Sequence, residues 1–124
     1  MYLLAPYVDE KCELIFQVNY FNTLSLTNTI KEFWPLSKVL LTIHYFEWCF
    51  DLKGNTSAFR RILHKSSDLT REETMLLEQY KKDRILMESV DCVICLSEYT
   101  QKLLLADYNL NPNQVCLAYN GLED

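Results

Sequence analysis

Apolar and polar residues alternate in blocks along the chain. Four short runs are rich in apolar residues, as strands buried within a sheet are; they span residues 13–19, 38–44, 91–96 and 114–119. Longer segments between them carry apolar residues at helical spacing, over residues 23–34, 70–89 and 97–108. This alternation predicts an α/β fold with a mostly parallel sheet of about four strands.

The predicted helices have recognisable ends. Pro35 follows the first helix and cannot continue it. Thr70 and Glu73 have the spacing of a capping box at the start of the longest helix. That helix repeats apolar residues on one side, at Leu76, Tyr80 and Met87.

The one long connection runs over residues 45–55, after the second predicted strand. It is rich in aromatic residues and then continues as Lys53-Gly54-Asn55. Open parallel sheets bind ligands at the carboxyl ends of their strands, where such connections begin. We therefore expect a functional site at this edge.

Composition and charge exclude several classes of protein. The chain has 124 residues, 49% of them hydrophobic and 13% aromatic, which suits one compact domain with a core. A formal net charge of −5 gives no basic footprint, so no nucleic-acid partner is expected. The apolar runs are too short for a membrane span, and residues 1–6 lack the basic segment of a signal peptide. We predict a cytoplasmic protein without a transmembrane segment.

The chain has five cysteines, and Cys92 and Cys95 form a Cys-x-x-Cys motif. This spacing can indicate redox or metal chemistry. Both residues lie in an apolar run that predicts a strand, where residues three apart point to opposite faces. We interpret them as plain buried thiols.

Glycines are scarce, since only Gly54 and Gly121 occur. Nucleotide phosphates are usually held by the backbone amides of a glycine-rich turn at a helix start. The sequence offers no such turn, so we do not expect this segment to hold a nucleotide alone.

His44 is the strongest candidate for chemistry, because it closes the second predicted strand at the expected ligand edge. A histidine can donate a hydrogen bond or exchange a proton near neutral pH; a histidine satisfied by loop carbonyls is the alternative. Asn19 and Asn22 follow the first strand at the same edge and suit sugar hydroxyls or loop caps. His64 lies in a polar helical stretch and is interpreted as a surface residue.

The long connection adds Glu47, Trp48 and Asp51 as candidates. An aromatic ring can cover the apolar face of a sugar while carboxylates accept hydrogen bonds from its hydroxyls. The alternative is that Trp48 and Phe50 only anchor the connection to the core.

Two further pairs follow the later strands. Ser97 and Glu98 begin a helix directly after a strand, so their amides suit an anionic group or Ser97 is simply the N-cap. Asn120-Gly121 follows the last strand and predicts a turn.

Several motifs in this order resemble the family-four-type retaining glycosyltransferases, in particular a bacterial subgroup. The residues that carry the resemblance are Val39-Leu-Leu-Thr-Ile-His44, the connection over residues 45–55, the strand-to-helix segment 90–104, Asn111-Pro112 with Gln114-Val115, and Asn120-Gly121. The match covers residues 13–124.

The resemblance implies a Rossmann-like three-layer sandwich, as a partial amino-terminal domain of the two-domain GT-B architecture. By the family's pattern, His44 faces the acceptor and the reacting sugar, Ser97 borders the acceptor pocket, and Asn120 with Gly121 marks the domain exit. The implied partners are a sugar acceptor and a nucleotide-sugar donor. The donor is bound mainly by a second domain that is absent from residues 1–124, so we expect this fragment to be inactive alone. Nothing in the residues requires a metal, and no cofactor is expected.

Two alternatives stay open: a non-catalytic flavodoxin-like module that acts through protein contacts, and half of an epimerase with the GT-B fold. In a glycosyltransferase fragment that lacks the family's earlier strands, residues 13–19 would form an unpaired, apolar sheet edge. Such an edge predicts self-association.

Overall fold

The computed structural model describes Asp9 and residues 11–19 and 21–121. Within these ranges there are four strands, β1 (Ile15–Val18), β2 (Lys38–Ile43), β3 (Cys92–Cys95) and β4 (Val115–Leu117). The same residues form five α-helices, α1 (Leu24–Phe33), α2 (Trp48–Asp51), α3 (Thr56–Leu63), α4 (Arg71–Ser89) and α5 (Glu98–Ala106). Short 3-10 turns precede α1 and β4, at Phe21–Thr23 and Pro112–Gln114.

The four strands form one sheet in the order β1-β2-β3-β4, and every neighbouring pair is parallel. Ile15 pairs with Lys38, Leu40 with Cys92 and Val93 with Val115. Parallel neighbours need a crossover, and the helices supply it. The predicted α/β class, with a Rossmann-like alternation of strand and helix, is confirmed.

The core lies between the helices and one face of the sheet. Alternate residues of the central strands fill it: Val39, Leu41 and Ile43 of β2 are at most 2% exposed, as are Val93 and Cys95 of β3. On the other face, Leu40 and Ile94 are half-buried, whereas Gln17 and Cys116 are exposed. The two faces of the sheet therefore differ in accessibility.

Local chemistry sets the helix ends as predicted. Thr70 Oγ1 accepts a hydrogen bond from the Glu73 amide at 3.2 Å, and the Glu73 carboxylate accepts from the Thr70 amide at 2.9 Å. Helix α1 ends at Phe33, and Trp34 follows as its C-cap before Pro35. Observed strands are one to three residues shorter at their ends than predicted, because only residues paired in the sheet keep a strand's hydrogen bonds.

The connection after β2 is more regular than predicted. A short helix, α2, lies within residues 45–55, and α3 begins directly after it. Asn55 accepts a hydrogen bond from the Ala58 amide at 2.9 Å and so caps α3. Lys53 and Gly54 have positive φ angles of 49° and 72°, which turn the chain between the two helices.

The two residues of the Cys-x-x-Cys motif point to opposite faces of β3, since Cys92 is half-buried and Cys95 is fully buried. Both thiols are free. Burial raises the pKa of each thiol, which keeps them protonated and unreactive. The structure supports the interpretation of plain thiols.

Among the described residues, none of the helices combines the length and the apolar character that crossing a membrane requires.

Candidate functional site

The carboxyl ends of the parallel strands meet at one edge of the sheet. Ile43 pairs with Cys95, so His44 directly follows β2 at the level where β3 gives way to Ser97. Asn19 directly follows β1 at the same edge. The parallel register therefore supports the prediction that these three residues share an edge.

A small hollow opens at this edge beside β1 and β2. It has a volume of about 60 Å³ and is lined by Asn19, Phe21, Asn22, His44, Tyr45 and Glu47. His44 Nε2 lies 3.5 Å from Asn19 Oδ1, at the outer limit of a hydrogen bond. The imidazole is exposed and is not held by loop carbonyls through any hydrogen bond between described residues. Four of the predicted residues, Asn19, Asn22, His44 and Glu47, are thus brought together.

Ser97 and Glu98 already have structural partners. Ser97 Oγ accepts a hydrogen bond from the Thr100 amide at 3.1 Å, so Ser97 is the N-cap of α5. The Glu98 carboxylate accepts from the Tyr119 hydroxyl at 2.9 Å, which joins the start of α5 to the chain after β4. Asn120 and Gly121 follow as an exposed segment. Neither Ser97 nor Glu98 lines the hollow among the described residues.

The structure places the Trp48 ring within the core, where it also lines a larger opening described below; its contact with a sugar stays a prediction. Trp48 is 4% exposed, and its ring is stacked on Phe59 with centroids 4.1 Å apart and planes within 7°. It also stacks with Phe46 at 6.2 Å. Aromatic stacking and burial make Trp48 an anchor for α2, as the alternative interpretation held.

Two other aromatic residues of the connection are exposed. Tyr45 is 49% exposed and Phe50 is 70% exposed, and their rings meet edge to face with centroids 5.3 Å apart. The anchor interpretation therefore holds for Trp48 and fails for Phe50. Tyr45 lines the hollow beside His44. The sequence analysis did not select Tyr45, because sequence alone does not show which aromatic residues of a run are buried and which stay at the surface.

A larger opening, which we call the α2–α4 cleft, lies between α2, α3 and α4 and has a volume of about 470 Å³. Glu47 lines both the hollow and this cleft, so the two adjoin. Asp51, Trp48 and Asp83 also line the cleft. His64 lies outside both, exposed at the end of α3, as expected of a surface residue.

Asp83 is a second residue that the sequence analysis did not select. It is 3% exposed, in the middle of α4. The signal was present, because position 83 falls on the same helical face as Leu76, Tyr80 and Met87. A carboxylate within a predicted core face indicates either a buried ion pair or a functional group.

The environment of Asp83 is unfavourable to its charge. Burial raises its pKa from the ordinary value to about 7, the Gln79 hydrogen bond opposes this, and the Glu47 charge adds to it. Nearby, burial raises the pKa of Tyr108, and the charge of Asp83 adds to that effect. The Tyr108 hydroxyl and the Trp48 indole N–H are buried without a hydrogen-bond partner of normal geometry. Two buried donors close to Asp83 in the core therefore lack an acceptor, whereas Asp83 itself accepts from Gln79.

The fold and these two openings define an α/β protein with a polar site at the carboxyl edge of a parallel sheet. Comparison with family models, curated proteins and solved structures gives no match to the chain. The resemblance to glycosyltransferases therefore rests on the motifs of the sequence.

Proposed function

We propose that this chain is the acceptor-side part of the amino-terminal domain of a retaining GT-B glycosyltransferase. The complete enzyme would move a sugar from a nucleotide-sugar donor to an acceptor hydroxyl. The observation that carries the proposal is the hollow in which His44, Asn19 and Asn22 meet at the carboxyl edge of an all-parallel sheet. Parallel α/β sheets bind their ligands at this edge.

The groups of the hollow suit a sugar hydroxyl. The amides of Asn19 and Asn22 can both donate and accept hydrogen bonds, and His44 can exchange a proton with a hydroxyl. The half-exposed ring of Tyr45 stands beside them and can cover an apolar sugar face. At about 60 Å³ the hollow admits only part of a sugar, so the rest of the site would come from outside these residues.

The donor would be held elsewhere. The chain's two glycines, Gly54 and Gly121, lie far apart and form no glycine-rich turn at the start of a helix, which is the usual phosphate-binding element. In the complete enzyme, the leaving diphosphate would be stabilised by basic groups of a second domain. Rate enhancement would then come mainly from positioning and electrostatics, with His44 positioned against the acceptor hydroxyl.

The test is sugar transfer by the complete gene product that contains this chain, measured as nucleotide diphosphate release from a panel of nucleotide sugars with sugar acceptors. His44→Ala removes the proposed proton-exchanging group, and we expect transfer to fall by about 100-fold or more. His64→Ala is the matched control, because His64 is equally exposed and lies outside the hollow. It should keep the wild-type rate.

Equal rates for His44→Ala and wild type would remove His44 from the site. Equal losses in both histidine variants would indicate a general effect on folding, which circular dichroism of both variants would reveal. Absence of transfer with every donor would contradict the proposed function itself.

A non-catalytic protein-interaction module is the second candidate. It is favoured by the exposed pair Tyr45 and Phe50, since large aromatic residues are enriched at protein interfaces. This candidate predicts that no donor is turned over and that Phe50→Ser leaves stability unchanged while weakening the interaction with the partner.

A further inference from the structure

The α2–α4 cleft is strongly acidic and lacks a basic residue among the described residues that line it. Five of its lining side chains are carboxylic acids, namely Glu47, Asp51, Glu72, Glu73 and Asp83. Within the described part of the chain, Glu73 is the one acid of the cleft with a basic partner, because Lys65 binds its carboxylate at 2.7 Å. The remaining acids give the cleft a negative potential, which low-dielectric walls would concentrate.

Asp83 differs from two other carboxylates whose side chains are less than one-third exposed. Asp91 is held by Lys31 at 2.5 Å, and Asp107 is held by Arg60 at 2.7 Å. Asp83 is more buried than either residue, yet its only hydrogen bond among the described residues is from Gln79 Nε2 to Oδ1, at 2.6 Å. Buried carboxylates are normally paired, so the missing cation points to a ligand.

The walls of the cleft are apolar. Leu52, Ile62, Met75 and Leu76 line it together with the acids. A volume of about 470 Å³ lies within the range of small-molecule sites. The ligand that matches this combination has one positive charge and an apolar stem of several carbons.

The geometry does not favour a metal ion. Among the described residues, no three His, Cys, Asp or Glu side chains are close enough to coordinate one ion. Divalent cations require several oxygen ligands at once. An ammonium group needs fewer acceptors, because it presents three donors and its remaining contacts are made by the stem.

We propose that the α2–α4 cleft binds the protonated primary amine of a ligand with an apolar stem, and that the carboxylate of Asp83 is its principal partner. The amine would lie on the cleft floor between Asp83 and Glu47, and the stem would pack against Leu76 and Met75. This site goes beyond the proposed sugar transfer and does not depend on it. The same chemistry is offered by a small alkylamine and by a lysine side chain of another polypeptide.

The test is titration of the full 124-residue chain with pentylammonium chloride, followed by calorimetry and by amide chemical shifts. Uncharged 1-pentanol, which has the same stem, is the control ligand. At pH 8 we expect pentylammonium to bind at least about tenfold more tightly than 1-pentanol. A capped lysine, Nα-acetyl-lysine N-methylamide, distinguishes the sources: binding as tight as pentylammonium indicates a side chain as ligand, and weaker binding indicates a small amine.

Asp83→Asn should abolish the preference for the amine, and it should remain folded because it removes an unpaired charge and keeps the shape. Asp68→Asn is the matched control, since Asp68 is exposed, lies outside the cleft and loses the same charge. It should bind as wild type does. Circular dichroism confirms that both variants are folded.

Affinity should also depend on pH. With Asp83 ionising near pH 7, its charged fraction falls from about nine-tenths at pH 8 to about one-tenth at pH 6, so binding should weaken about tenfold. Among the described residues, the charge of Glu47 acts on Asp83 and Asp83 acts on Tyr108. The other titratable groups of the cleft are Asp51, Glu72, Glu73 and Tyr80. The proposal is overturned if 1-pentanol binds as tightly as the amine, if Asp83→Asn keeps the amine preference, or if pentylammonium shows no saturable binding.

Discussion

The surroundings of Asp83 and Asp91 shift the pKa values of these two carboxylates in opposite directions. Asp91 forms ion pairs with Lys31 and, at 3.7 Å, with Lys38, and it accepts a hydrogen bond from the Val39 amide at 2.8 Å. Burial raises the pKa of Asp91, but these partners lower it by more, so its pKa lies below the ordinary value. Asp83 receives one neutral amide and a neighbouring negative charge. The charged form of Asp91 therefore stabilises the folded state, whereas the charged form of Asp83 destabilises it.

Asp83→Asn should therefore stabilise the chain above neutral pH. In the unfolded chain this carboxyl ionises near pH 4, and in the folded chain it ionises near pH 7, so the free energy of unfolding falls as pH rises from about 4 to 7. Asp83→Asn has no carboxyl to ionise at this position, so its free energy of unfolding does not fall in this way. The variant should be more stable than wild type by roughly 2–4 kcal/mol at pH 8 and little changed at pH 4. Urea denaturation at pH 4, 6 and 8 measures it, with Asp68→Asn as control. The same difference at pH 4 and pH 8 would contradict a buried titrating carboxyl.

At the scale of elements, side-chain caps decide where helices begin. Thr70 caps α4, Asn55 caps α3 and Ser97 caps α5. In each case the side-chain oxygen of the cap accepts a hydrogen bond from the backbone amide three residues later. This amide would otherwise have no acceptor. Ser97 is the cap that also stands at the candidate ligand edge, so its two roles need to be separated.

Substitutions at Ser97 separate them. Ser97→Ala should lower the free energy of unfolding by about 1 kcal/mol, because the Thr100 amide loses its acceptor. Ser97→Asn should restore most of that stability, since asparagine is an equally good N-cap. If Ser97 also borders the acceptor pocket, the asparagine variant of the complete enzyme will remain slow in sugar transfer. Full activity of that variant would assign Ser97 to capping alone.

At the scale of the whole molecule, the sheet ends at β1 within the described residues. The strand pairs with β2 on one side only, and Ile15 is 62% exposed. Unpaired backbone groups beside exposed apolar side chains are a template for pairing with another chain. The earlier prediction of self-association stays a prediction, and this edge is where it would occur.

Ile15→Lys should reduce self-association of the isolated chain, because a lysine on an edge strand opposes pairing with a second copy. Leu36→Lys is the matched control, since Leu36 is 92% exposed and lies in a turn outside the strands. Light scattering over a concentration series should show wild type and Leu36→Lys shifting to higher mass, and Ile15→Lys remaining a monomer. A monomeric wild type at high concentration would contradict the prediction.

Several features were accessible from sequence because they depend on near neighbours. The Thr70 and Glu73 capping box, the Ser97 cap and the end of α1 before Pro35 each involve residues within about one helical turn. The burial of Asp83 was also readable from helical spacing. In contrast, nothing local distinguishes Trp48, which turns inward, from Phe50, which stays outside, because Phe59 and Phe46 decide between them.

The sequence by itself predicted the four strands and the helices α1, α4 and α5, and hence the α/β class, because periodicity and caps act over a few residues. Only the tertiary structure decided the order β1-β2-β3-β4, the contact of His44 with Asn19 and the pairing of Lys31 with Asp91, 60 residues away. It also decided that Asp83 has no such partner among the residues that the structure describes. Whether a distant cation reaches a buried charge depends on how the elements pack, and no local pattern encodes that packing.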